Sequence, residues 1–225
     1  MARGTVNQKT NKSENTKRHI VSTFLDLMGE KFWEKITVIE ICRKAQITRG
    51  TFYQYFGDIY DLLEQLEHAL ITDLTARLGK VQRSSGPHCR TGEFLTSFNC
   101  EPPASFLIWF EFCRDHRDAM MALLDRKYGD TYFVKKLKGI LRTSIEQVMD
   151  QDGTANDELR EHFLNVFLEL HLLSAQTWLA GNEAEGAEGA ESPGENPYLS
   201  VDDIVNLLNT MRVGSAYLSY VRREG

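Results

Sequence analysis

Residues Thr37 to Phe56, TVIEICRKAQITRGTFYQYF, read as two short helices joined by a tight turn. Thr37 and Glu40 have the Thr-x-x-Glu spacing of a capping box, in which the hydroxyl accepts from a free helix amide and the carboxylate reaches back to the cap. A helix therefore starts near Val38. Ile36 and Ile41 stand one before the cap and four into the helix, where they can close as a hydrophobic staple. Thr48, three residues after Ala45, is the next cap, and it leads into a segment with Phe52, Tyr53 and Phe56 at helical spacing. Two capped helices with about three to four residues between them fit a helix-turn-helix, whose second helix enters the DNA major groove. An ordinary αα corner would bury Ile47, Phe52 and Phe56 in the same way, so the core positions do not separate the two readings.

Charge is unevenly shared along the chain. Residues 1–60 carry ten Lys/Arg against six Asp/Glu, a balance of +4, while 61–225 carry sixteen against twenty-six, a balance of −10. A basic head on an acidic body points the head at phosphate and disfavours nonspecific wrapping of nucleic acid. At 225 residues the chain fits one or two domains and can bury a sizeable core. It has no apolar run of membrane-spanning length, so no membrane association is expected, and its first residues lack the apolar stretch of a secretory signal. A cytoplasmic location is expected. Cys42, Cys89, Cys100 and Cys113 show neither CxxC nor Cys/His ligand spacing, so no metal or disulfide framework is expected. Cys42 and Cys113, in predicted helices, read as small buried apolar residues, and Cys89 and Cys100 as members of a loop.

The segments Ile36-Thr-Val-x-x-Ile41, Ala45-x-Ile47-Thr48-Arg49-Gly50-Thr51-Phe52-Tyr53-x-Tyr55-Phe56 and Leu62-Leu63 resemble the DNA-binding domain of TetR-family transcriptional regulators. The resemblance covers residues 20–66, about a fifth of the chain. It implies an all-α protein: an N-terminal three-helix domain holding the helix-turn-helix, then a larger helical ligand-binding and dimerisation domain. The expected divisions are a flexible basic arm over 1–15, the DNA-binding domain over 16–60 and the effector and dimerisation domain over 61–225, with loops at 81–103 and 182–200.

DNA contacts are assigned to exposed polar residues of the head. Arg49 can reach guanine or a phosphate, Gly50 lets backbone approach the groove, and Gln54 can read adenine. The resemblance adds phosphate contacts at Thr51, Tyr53 and Tyr55, the last standing where many members have His. Three residues after Phe56 many members have a phosphate-binding Lys; here it is Ile59, so Tyr60, Thr37 and the amides around Asp58 are expected to do more. Thr48 completes the set at the start of the second motif helix. Arg43 and Lys44 are either phosphate partners or helix C-terminal charges that complement the dipole. In the arm, Arg3, Lys9 and Lys12 are either solvated or a DNA-contacting extension.

The remaining chain reads as further helices. Ile20, Val21, Phe24, Leu25 and Met28 make one stripe of a supporting helix from about Thr16 that ends before Trp33. Asp58 caps a long helix over 59–80. Helices are also predicted over 104–113, 115–128, from Asp130 to about Asp152, over 156–181, and from Asp202 to the C-terminus. The piece between 183 and 200 is Glu/Ala/Gly-rich and reads as a surface loop. Phe106, Trp109, Phe110, Met120, Met121, Phe133, Phe167, His171 and Trp178 are the candidate ligand-pocket residues, because the resemblance implies a cavity for an apolar or mixed small molecule. His162 and His171, nine apart, are expected to share a side of their helix. Phe163, Leu170, Leu173, Ile204, Leu207, Leu208 and Met211 are the candidate dimer-interface residues.

The function this implies is a homodimeric repressor that binds a palindromic double-stranded operator and is released by a small-molecule effector. The alternative is a regulator or co-activator of the same build whose C-terminal domain answers to a protein partner. An all-α enzyme is the reading with least support, since no nucleophile elbow, phosphate loop, metal cluster or paired-carboxylate motif occurs, and no cofactor is expected.

Overall fold

The structure, a computed structural model, describes residues 4–81, 101–181 and 199–224, and every regular element among them is helical. In chain order these are α1 (Gly4–Met28), a short 3-10 turn (Trp33–Lys35), α2 (Val38–Lys44), α3 (Arg49–Tyr53), α4 (Ile59–Val81), α5 (Ala104–Asp115), α6 (Arg117–Leu123), α7 (Thr131–Gln151), α8 (Glu158–Gly181) and α9 (Val201–Glu224). The chain divides into two compact units, Met1–Thr72 with Asp118–Phe133, and Asp73–Arg117 with Val134–Gly225.

In the first unit α1 packs on α2 and α2 on α3. Ile20, Phe24, Met28, Ile41, Phe52 and Phe56 are buried between them, each such side chain contributing about 1.5–3 kcal/mol. Two differences from the sequence reading fall here. The arm expected to be flexible is helical from Gly4: no Gly or Pro interrupts Thr5 to Asn15, and the Thr16 hydroxyl donates to the Lys12 carbonyl at 2.9 Å as the helix passes through. Residues 1–3, with Arg3, lie outside the described residues. The expected helix over 115–128 is only Arg117–Leu123. It stops because the Asp125 carboxylate accepts from the amides of Lys127 at 2.8 Å and Tyr128 at 2.7 Å, a turn that competes with the helix. Gly129 follows at a close approach, where a Cβ would stand 2.4 Å from the Asp125 carbonyl oxygen. The Tyr128 ring then meets Phe32 edge-on at 5.3 Å, which holds this segment in the first unit.

The first unit also extends past residue 60, because the start of α4 is bonded to the motif. Gln65 donates to the Tyr55 carbonyl at 3.4 Å and accepts from Lys17 at 2.8 Å. α4 itself is one unbroken helix, capped as expected by Asp58, whose carboxylate accepts from the Asp61 amide at 2.8 Å.

In the second unit α5 packs on α8 and α9, and α9 on α8. Phe106, Trp109, Phe110 and Phe112 are all buried, as an element apolar on most faces requires. Asp157 caps α8 by accepting from the Arg160 amide at 2.9 Å, and Ser200 with Asp203 forms a reciprocal cap on α9. Arg212 and Asp152 make a buried ion pair at 2.6 Å, and Arg212 also donates to the Glu101 carbonyl at 3.1 Å. The expected loops at 81–103 and 182–200 fall mostly on residues 82–100 and 182–198, outside the described residues, as do Cys89 and Cys100. Cys42 and Cys113 are buried free thiols, and burial pushes the Cys113 thiol well up.

Candidate nucleic-acid interface

The motif is built by its caps. Thr37 Oγ1 accepts from the Glu40 amide at 3.3 Å while Glu40 accepts from the Thr37 amide at 3.0 Å, so the capping box is complete and α2 starts at Val38. Glu40 also pairs with Lys31 at 2.6 Å. That contact holds its carboxyl down at about 2, with the Thr37 hydroxyl and amide adding to the effect. Nothing in the spacing of the motif pointed to Lys31, which reaches back from the connector after α1. Ile36 and Ile41 are both buried, consistent with the staple.

The turn closes on Gln46, whose φ of 54° lies in the left-handed region. Around it the amides of Ala45 and Ile47 donate to Ile41 and Cys42 carbonyls at 2.8 and 3.0 Å, satisfying the end of α2. Thr48 then caps α3 by accepting from the Thr51 amide at 3.1 Å, and the two hydroxyls lie 2.9 Å apart.

This geometry leaves one polar surface. Arg49, Gly50, Tyr53 and Gln54 are exposed on or just after α3, with Tyr53 at 56%. A Cβ at Gly50 would meet only Thr48 Oγ1, at 3.7 Å, so the protein's own packing does not require glycine there. Tyr60, at the start of α4, is 64% exposed, and Trp33 of the 3-10 turn packs edge-on against it at 5.2 Å. In the sequence Trp33 marked only where the supporting helix ends. Tyr55 is half-buried and its hydroxyl lies 3.2 Å from Ser13, which ties the unexpected N-terminal extension of α1 to the end of the motif.

Other expected contacts are differently placed. Lys44 is exposed but lies 3.3 Å from Glu30 and 3.9 Å from Asp26, so its charge is partly neutralised within the protein, whereas Arg43 is simply exposed. Thr37 and Thr48 are exposed but act as caps, and Thr51 is half-buried. Ile59 is 8% exposed, so the side chain that replaces the phosphate Lys packs into the core. Two of the amides around Asp58 are already used: Gly57 donates to Asp61 at 2.7 Å, a bond that holds the Asp61 carboxyl below its usual range, and Asp61 donates to Asp58 at 2.8 Å.

Of the candidate pocket residues, Phe106, Trp109, Phe110, Phe167, His171 and Trp178 are buried in the second unit, while Met120, Met121 and Phe133 belong to the first. His162 is exposed and His171 buried, which corrects their expected common side: nine residues advance the helix by about 900°, half a turn out of phase. Of the candidate interface residues, Ile204 and Leu208 are buried within the protomer and Phe163 and Leu170 half-buried, leaving Leu173, Leu207 and Met211 exposed.

Among the described residues no group of three or more His, Cys, Asp or Glu could hold a metal ion, and no helix is long and apolar enough to cross a membrane.

Residues 20–66 match the family model described as bacterial regulatory proteins, tetR family. Over 120 residues, 53% of this chain, the sequence is 23% identical to the uncharacterized HTH-type transcriptional regulator YxbF of Bacillus subtilis (strain 168), of which the match spans 29%. Over 50 residues, 22% of the chain, it is 36% identical to the HTH-type transcriptional regulator HbdR of Aromatoleum sp. (strain CIB), again spanning 22% of that protein. The chain thus covers less than a third of either curated relative. The crystal structure of a TetR transcriptional regulator from Streptococcus agalactiae 2603V superposes over 92% of this chain and 98% of its own with a TM-score of 0.52, at 18% identity, which establishes a shared fold. Residues 20–66 thus match the DNA-binding domain of the tetR family, and the chain as a whole shares the fold of a TetR transcriptional regulator.

Proposed function

We propose that the protein is a homodimeric repressor that binds a palindromic DNA operator through α3 and is released by a small-molecule effector taken up by its second unit. The observation that carries the DNA-binding reading is the capped α3 itself. It exposes Arg49, Tyr53 and Gln54 together beside an unobstructed Gly50, on the basic part of an otherwise acidic chain. Arg can read guanine bidentately, Gln adenine, and a tyrosine hydroxyl can hold phosphate. Arg43, Thr37, Thr48, Thr51, Tyr55 and Tyr60 support positioning on the backbone, with Lys44 contributing less because of its acidic partners.

Dimerisation is supported by apolar side chains left uncovered in the second unit. Leu207, Met211, Leu218 and Val221 recur on α9 at a spacing that keeps them on one side, with exposures of 50, 39, 49 and 44%. Val166 and Leu173 do the same on α8 at 46 and 38%. A self-complementary pairing of such faces gives a two-fold dimer, and a two-fold dimer matches a palindrome with half-sites about 34 Å apart. Release then needs only that the effector change the half-site spacing, and α4, which belongs in sequence to both units, is the element that would carry it. The protein acts in the compartment that holds its DNA, the cytoplasm, as a regulator rather than an enzyme.

A mobility-shift titration with DNA upstream of the protein's own gene, against scrambled competitor, tests the reading. Saturable binding as a two-protomer complex supports it, and binding that scrambled DNA abolishes equally well overturns sequence-specific recognition.

A further inference from the structure

His171 lies in the middle of α8 and is 1% exposed. Its Nδ1 is 2.9 Å from the Phe167 carbonyl oxygen one turn earlier. A carbonyl oxygen only accepts, so Nδ1 carries the proton. Burial holds the ring's pKa down at about 4, so at neutral pH the imidazole is uncharged. The second nitrogen, Nε2, is therefore a bare lone pair, and it has no hydrogen-bond partner. An acceptor left so in a dry interior costs about 1–3 kcal/mol.

The surroundings are aromatic and fixed. The rings of Phe106 and Phe167 meet the imidazole nearly at right angles, at 4.9 and 4.5 Å. Trp109 donates to the carbonyl of His171 at 3.4 Å, which ties α5 to α8 at this point. A second buried polar atom without a partner, the hydroxyl of Ser105, sits on α5 beside Phe106. Orphaned groups of this kind call for a partner that the protein alone does not supply.

We infer that His171 Nε2 is the polar anchor of the effector site, accepting a hydrogen bond from the hydroxyl or N–H of an uncharged, otherwise apolar molecule that lies against Phe106 and Phe167. The inference rests on the reading of the second unit as effector-binding and gives that effector a chemical class. The polarity of the bond decides the class. A carboxylate or phosphate brings no proton and would face a lone pair with its own charge. An ether, ketone or ester brings only acceptors. An ammonium ion would have to leave water among hydrocarbon rings. Neutral alcohols, phenols and amide-type N–H groups satisfy both the lone pair and the rings, and the rings favour a planar, aromatic body.

The test uses the full-length protein and two matched series, 4-alkylphenols and the corresponding 4-alkylanisoles from ethyl to hexyl, with 4-butylbenzoate as the anionic control. Binding is followed by calorimetry and by quenching of tryptophan emission. Wild-type protein is expected to bind the best phenol at least about tenfold more tightly than its methyl ether, because a site built to meet a hydroxyl rejects the analogue that lacks it. His171→Phe removes the preference while keeping the ether's affinity, and His171→Gln, which restores an acceptor, recovers part of it. In protein labelled with nitrogen-15 at histidine, the unprotonated Nε2 signal moves toward the hydrogen-bonded position on adding the phenol and not on adding the ether. That signal decides the matter even if the variants fail to fold. Equal binding of phenol and ether, a preference that survives in His171→Phe, tighter binding of the benzoate, or an Nε2 signal already hydrogen-bonded in the free protein overturns the donor-class assignment and leaves an effector site standing. Failure of every member of both series to bind overturns the effector reading and this inference with it.

Discussion

The amide of Ile47 donates to the carbonyl of Cys42 at 3.0 Å, closing α2 over a Gln46 held at φ 54°. An L side chain in that conformation costs about 1–2 kcal/mol, a cost glycine does not carry. Gln46 is exposed, so little packing is lost on replacing it. Gln46→Gly is expected to stabilise the protein by about 0.5–1 kcal/mol in urea unfolding, and Gln46→Val to destabilise it. Equal midpoints for the three proteins would show that the turn stores no strain.

Glu40 is the acid whose titration the fold most visibly controls. Its folded pKa of about 2 lies below the ordinary 4.5, first because of Lys31 and then because of Thr37. The stabilisation from the capping box and ion pair is therefore complete above pH 4.5 and is lost as pH falls from there toward 2. Carboxyl-detected NMR should place the midpoint near the lower value in the wild type. In Lys31→Met, where the largest cause is removed, the midpoint should climb back toward the upper one.

For the DNA surface, the three α3 substitutions should separate reading from positioning. Arg49→Ala is expected to cost about 1–3 kcal/mol of operator affinity and to relax sequence preference at one base pair. Tyr53→Phe should weaken all sequences alike. Gly50→Ala, with only ordinary contact to meet at 3.7 Å, should leave stability unchanged or raise it by up to about 1 kcal/mol while impairing DNA binding. A Gly50→Ala protein that binds its operator normally would remove the argument for close backbone approach.

Self-association can be tested on the uncovered stripe of α9. Met211→Glu with Leu218→Glu places charge on two side chains already 39 and 49% exposed, so the protomer's core is untouched. Sedimentation velocity should show a shift from dimer to monomer with the helical signal retained, and operator affinity should fall with it. A dimer that persists in this variant rules out this face as the interface.

The ion pair between Arg212 and Asp152 is 4 and 10% exposed. Removing one partner leaves the other charged and buried, so Asp152→Asn should cost about 3–5 kcal/mol, measured by urea unfolding. The double variant Asp152→Asn/Arg212→Met should recover a good part of that loss, because an apolar pair carries no unmet charge.

The head of this protein was readable because its signals are local. Thr37 with Glu40, Thr48 with Thr51 and Asp58 with Asp61 are each bonded across three residues, a distance over which sequence spacing is geometry. The interactions that were not readable join distant residues. Lys31 reaches Glu40, Trp33 packs on Tyr60, and Arg212 meets Asp152, none of which follows from any period. The start of α1 was missed for a different reason: Lys, Asn and Thr suggest a solvated tail by composition, yet nothing among them breaks a helix once Ile20 and Phe24 have anchored it. In the second unit the aromatic run foretold burial, but only the bond from His171 to Phe167 reveals which imidazole nitrogen is left over.

The indole nitrogen of Trp178 donates to the carbonyl of Leu199 at 2.7 Å, and the Ser200–Asp203 cap begins immediately after it. Both borders of the Glu/Ala/Gly-rich stretch are thereby fastened to the same part of the second unit. The end of α8 and the start of α9 are held to each other directly, so a single cut in the peptide chain between Gly181 and Leu199 should leave the two helices paired.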